Sequence, residues 1–97
     1  MIKKTIFWTR PDASVTWPWL GLAENDAHEN WLITGYTGTI DRTATETDTT
    51  YVLTIYFETQ EDYDTVENST TLLALLNKMQ PDMTVSGTTR TVTIETV

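Results

Sequence analysis

Threonines at positions 43, 45, 47 and 49, and again at 89, 91 and 93, recur at every second residue. That is the period at which an extended chain returns its side chains to one face. A chain spaced in this way builds sheet. Threonine occupies 22 of the 97 positions; its branched β-carbon suits a pleated surface better than a helix, and its hydroxyl tolerates water on the less apolar face. The pattern speaks for architecture and for no hydroxyl chemistry.

The rest of the chain can be placed around those strands. Residues 2–9 alternate, with Ile2, Ile6 and Trp8 on one parity and Thr5 and Phe7 on the other, and the predicted strand ends at Arg10-Pro11. Pro18 and Gly21 interrupt the Trp17-Pro18-Trp19 region and rule out one long helix, so a short helix over 22–30 is expected. Residues 31–42 are β-rich, and 43–48 read as a polar hairpin connection. Residues 49–58 form the strongest strand, with Tyr51, Leu53, Ile55 and Phe57 on the core face and Val52, Thr54, Tyr56 and Glu58 on the other. Thr59 can cap a helix whose first turn carries Glu61 and Asp62. Tyr63, Val66, Thr70, Leu73, Leu76 and Met79 mark its buried stripe, with a kink or restart at Asn68-Ser69 and a stop at Pro81. Residues 83–96 form a last strand, Val92 and Ile94 opposed to Thr91, Thr93 and Glu95.

This order is βαββαβ, the ferredoxin-like split βαβ pattern of the α+β class, with a four-stranded antiparallel sheet and a short or irregular first helix. The 97 residues suit a single domain, 1–97. An internal echo accompanies the pattern: Phe7-x-Thr9-x-x-Asp12 and Phe57-x-Thr59-x-x-Asp62 each fall at a strand-to-helix junction, which would let the first helical segment begin near Pro11.

The stretch from Tyr51 to Tyr63, an apolar strand running into a capped helix with an acidic first turn and an early aromatic, resembles the dimeric α/β-barrel branch of ferredoxin-like proteins. That branch includes small antibiotic-biosynthesis-type monooxygenases and haem-degrading relatives. The resemblance implies two sheets packed face to face across a dimer axis and a pocket between sheet and helices in each subunit. It also implies cofactor-independent oxygenation as a reaction to consider. The haem-degrading relatives resemble one another in an Asn, Trp and His set with the His on the second helix; here that helix has no His, so no catalytic residue is carried over.

Charge narrows the partners. Fourteen acidic against six basic residues leave a net charge of -8, and only Lys3 and Lys4 are adjacent. Phosphate backbones and anionic headgroups are repelled, so neither nucleic acid nor a membrane is an expected partner. The same acidity suits a marine or otherwise salty habitat. Cysteine is absent, which removes disulfides, thiolate nucleophiles and zinc-thiolate sites. The Lys3-Lys4 start is followed by only four apolar-leaning residues before Thr9-Arg10-Pro11-Asp12, so no signal peptide is expected and a cytoplasmic or otherwise soluble location is.

Among candidate chemistry, His28 is the one side chain titrating near neutrality, but with Glu24, Asp26 and Glu29 around it the expectation is a surface histidine. Asp41, Glu46 and Asp48, and then Glu61, Asp62, Asp64 and Glu67, are acidic groups without calcium-loop spacing, so no metal and no cofactor is expected. Asn68-Ser69-Thr70 fits a glycosylation acceptor but sits in the helix interruption. Trp8, Trp17, Trp19 and Trp31 are core material first, and an interface or ligand wall second. Two function classes follow. One is a non-catalytic homodimer, such as a viral or microbial accessory protein, built through the face carrying Phe7, Val52, Thr54, Tyr56, Thr91 and Thr93. The other is a binder or monooxygenase-like enzyme whose pocket uses Trp8, His28, Trp31 and Tyr36, with Tyr56 assisting, for a small apolar or aromatic ligand.

Overall fold

A computed structural model describes residues 1–30 and 39–97. The alternating segments form β1 (Ile2–Thr9), β2 (Thr39–Glu46), β3 (Thr50–Phe57) and β4 (Thr89–Thr96), joined in one antiparallel sheet of order β2-β3-β1-β4. Helices α1 (Ala23–Asn30), α2 (Gln60–Glu67) and α3 (Thr70–Ser86) complete an α+β ferredoxin-like arrangement. The two central strands come from opposite halves of the chain. Burying them between neighbours is what makes the two βαβ halves one domain.

Register decides which side chains share a face. Trp8 lies opposite Tyr51 and Arg90, Ile6 opposite Leu53 and Val92, and Lys4 opposite Ile55 and Ile94. Ile2, Ile6, Trp8, Ile55 and Phe57 on this face are buried against Val66 of α2 and Leu75 and Met79 of α3. Each such side chain contributes about 1.5–3 kcal/mol of transfer free energy. On the opposite face Phe7 is 42% exposed, beside half-buried Val52, Thr54 and Tyr56.

The Trp17-Pro18-Trp19 segment is core. Trp17 and Trp19 stack with centroids 5.1 Å apart, Trp19 leans on Trp8 at 4.5 Å and on Tyr51 at 5.0 Å, and all three indoles are buried. Arg10 fastens the segment to the β2-β3 hairpin. Its guanidinium sits 4.3 Å from the Trp17 ring and donates to the carbonyls of Asp48 and Val15 at 2.7 Å, while Trp17 Nε1 donates to Glu46 at 2.8 Å.

Several expectations are corrected. Residues 43–46 are strand rather than connection: they are exposed residues of the edge strand β2, and the turn narrows to Thr47-Asp48-Thr49, where the Thr47 amide donates to the Thr50 carbonyl at 2.9 Å. Helix does not begin near Pro11; Asp12 instead accepts from the Ser14 amide in a local turn, and α1 starts at Ala23. The break at Asn68 is real, with Ser69 Oγ accepting from the Leu72 amide as a fresh N-cap. The restart rotates the stripe by one position, so Leu72 and Leu75 are buried while Thr70 and Leu73 are exposed. Pro81 does not stop α3, which runs on to Ser86 because Met79 and Met83 still pack on the core. Gly87, at φ 79°, ends it with its amide donating to the Met83 carbonyl at 3.0 Å. The last strand therefore begins at Thr89, not at 83.

Candidate functional site

Between the helix-facing side of the sheet and the helices lies a cavity of about 50 Å³. Its walls are apolar, from Ile6, Trp8, Leu53, Leu75 and Met79, and its polar end collects Lys4, His28, Arg42 and Arg90. The volume is about a third of the ~150 Å³ apolar cavity that accepts benzene. As it stands it takes a ligand of a few heavy atoms.

Strand parity explains how charged groups reach such a place. Lys4 has the same parity as Ile2 and Ile6, so the alternation that buries those residues buries the lysine too, at 2% exposure. Its ammonium donates to Glu67 at the end of α2, and that ion pair is what makes the burial tolerable. Burial still holds the Lys4 pKa below the ordinary lysine range, with the Glu67 hydrogen bond and charge opposing the shift. Arg42, on β2 opposite Ile55, donates to Glu29 of α1. Arg90, the second residue of β4, pairs with Trp8, its guanidinium 5.5 Å from the indole centroid. Desolvation lowers its pKa, and the nearby Glu67 and Tyr63 oppose that.

His28 corrects the expectation of a surface histidine, being only 8% exposed. Lys78 of α3 binds Glu24 of α1, and the helix so held turns His28 onto the sheet. Burial pulls its pKa down to about 4; Lys4 adds to this, Glu67 opposes it, and Arg42 and Arg90 add further. The imidazole is therefore neutral at pH 7. A base of pKa about 4 abstracts protons poorly, but a neutral imidazole offers one ring donor and one acceptor.

Of the pocket residues expected from sequence, Trp8 and His28 both line this cavity, and Trp31 and Tyr36 lie outside the described residues. Tyr56 does not belong to it: paired with Lys3, it has outer-face parity. The six residues expected on a dimer face do share one side of the sheet, Phe7 lying opposite Val52 and Thr91 and Thr5 opposite Thr54 and Thr93. Lys4, Arg42, Glu67 and Arg90 escaped the sequence reading, although the parity of Lys4 with Ile2 and of Arg90 with Val92 was a usable signal. Among the described residues no group of three or more His, Asp or Glu is placed to hold a metal ion, and no helix is long and apolar enough to cross a membrane.

No protein-family model matches the chain, and no curated protein matches it. Solved structures do match over nearly its whole length. SnoaB, a cofactor-independent oxygenase from Streptomyces nogalater, superposes with a TM-score of 0.68 at 9% identity, covering 99% of this chain and 91% of that one. A candidate antibiotic biosynthesis monooxygenase from Nitrosomonas europaea gives 0.61 at 15% identity, covering 98% and 97%. Rv0793 from Mycobacterium tuberculosis gives 0.60 at 15% identity, covering 100% and 95%. At these identities the likeness is one of fold, and it agrees with the antibiotic-monooxygenase-type architecture that residues 51–63 resemble.

Proposed function

We propose that the chain is a small-molecule-binding protein of the cofactor-independent oxygenase type, holding its ligand in the cavity between sheet and helices. One observation carries the reading. In a chain of net charge -8, three of the six basic side chains and the sole histidine converge on a single apolar-walled cavity. Burying that many polar groups costs stability, and a site that orients a ligand is a use for them. The fold shared with SnoaB supports oxygenation as the reaction. Without a cofactor the substrate itself supplies the electrons: a CH2 becomes C=O, one oxygen atom of dioxygen enters the product and the other leaves as water with the two hydrogens. His28 serves as a neutral hydrogen-bond partner, and the cations stabilise negative charge that develops on the substrate. A ring-sized substrate requires half-buried wall residues such as Tyr51 and Leu76 to move aside. The test is a thermal-shift screen of quinols and aromatic ketones followed by dioxygen uptake. A folded sample that shifts with none of them and consumes no dioxygen overturns the oxygenase reading.

A homodimer through the outer sheet face completes the proposal. Phe7 stands exposed between half-buried Val52 and a threonine strand, on a face that no helix of the described residues covers. Light scattering should give twice the 11.1 kDa chain mass, and Phe7→Lys should halve it. A wild-type monomer at high concentration would count against the interface.

A further inference from the structure

We infer that the ligand group held at the cavity's polar end is a compact carboxylate, anchored by Arg90. The inference rests on the reading of the cavity as a ligand site. Three cations line the cavity, and two are matched: Lys4 by Glu67 and Arg42 by Glu29. Arg90 is the exception. Among the described residues its guanidinium has no ion pair and no hydrogen bond, and its Nε is buried without an acceptor. It sits 5.5 Å from the centroid of the Trp8 ring, with Glu67 and Tyr63 nearby.

A buried N–H donor without an acceptor is rare in native proteins, and the carboxylate near Arg90, Glu67, is already bonded to Lys4. With His28 neutral, the cavity's polar end holds Lys4, Arg42 and Arg90 against Glu67 and Glu29, an excess of one positive charge. One monoanion restores balance. A carboxylate is the anion whose two coplanar oxygens match the guanidinium fork, and Trp8 beneath the fork keeps it flat and in place. Size points the same way: about 50 Å³ holds a carboxylate with a short chain, while the apolar walls from Ile6, Leu53 and Leu75 suit a methyl or methylene tail rather than a second polar group.

The experiment titrates wild-type protein and Arg90→Met with propionate, with its neutral isostere propanamide, and with sodium chloride at matched ionic strength, reading the thermal midpoint and the indole N–H resonances. Propionate at ten times its Kd should raise the wild-type midpoint by about 6–11 °C and move one indole signal, with propanamide and chloride doing neither. Arg90→Met should lose that response while melting at or above the wild-type midpoint without ligand, because it removes a half-buried guanidinium whose Nε has no acceptor. Equal responses to propionate and propanamide would overturn the carboxylate assignment and leave the cavity as a ligand site; a chloride response equal to that of propionate would reduce it to an adventitious ion only. Propionate binding undiminished in Arg90→Met would overturn Arg90 as the anchor. Should Arg90→Met fail to fold, Arg90→Lys replaces it: the charge is kept and the fork lost, so a drop in affinity of tenfold or more is expected, and unchanged affinity counts against the anchor. No response to propionate, quinols or aromatic ketones by folded wild-type protein would end both this inference and the ligand-site reading.

Discussion

At the scale of single residues the cavity stores free energy in His28 and Lys4, and both can be read by titration. Folded His28 has a pKa of about 4 against 6.5 for the unfolded chain, so between those values the unfolded state binds more protons. Stability from this residue is therefore complete above pH 6.5 and is lost as the pH falls toward 4. Urea unfolding at pH 7.5 and at pH 5 should differ by about 2 kcal/mol through His28 alone, and His28→Gln should remove that part of the slope. An unchanged slope in the variant would show that other groups carry it. The Lys4-Glu67 pair gives an asymmetric expectation: Glu67→Gln leaves a buried ammonium without its counter-charge and should cost about 3 kcal/mol, while Lys4→Met, which leaves only a half-exposed carboxylate, should cost about 1 kcal/mol or less. Equal costs in chemical denaturation would mean that water reaches the ammonium. Burial of Lys4 was legible in its parity with Ile2 and Ile6. Burial of His28 was not, because an eight-residue helix carrying only two alanines as apolar residues presents no stripe from which an inward face can be read.

Among the elements, α3 is where local rules and packing disagree. Pro81 lacks the amide that would bond to the Asn77 carbonyl, which in a helix interior costs about 3 kcal/mol. The helix persists because its next inward residue, Met83, reaches the same core as Met79 and because Gly87 closes its end. Pro81→Ala should therefore stabilise the protein by about 1–3 kcal/mol in urea unfolding; no gain would place the end of the helix at Pro81 after all. Gly87→Ala should destabilise by about 1–2 kcal/mol, since φ is 79° and an added Cβ would meet Pro11 Cγ at 3.3 Å. The restart at Ser69 was legible from Asn68, Ser69 and Thr70, weak helix formers that cap well. The rotated stripe it produces was not, because periodicity counted through a break keeps the wrong phase. The β2 strand was hidden for a related reason: an edge strand facing water carries the polar residues of a loop.

Across the whole molecule the aromatic cluster is the keystone. Trp8, Trp17, Trp19 and Tyr51 join β1, β3 and the segment before α1, so Trp19→Ala should cost about 3–5 kcal/mol and lower the thermal midpoint by more than 10 °C. A small change with a folded, altered oligomer would instead make Trp19 an interface residue. The amino-acid sequence by itself determined the positions of β1 and β3, the two sheet faces and the βαββαβ order, because side-chain periodicity and capping act over a few neighbouring residues. Only the tertiary structure decided that Lys4, His28, Arg42 and Arg90 share one cavity. They are distant in the chain and sit on β1, α1, β2 and β4. Their pKa shifts and unequal pairing arise from distances and desolvation that exist only once the helices lie on the sheet.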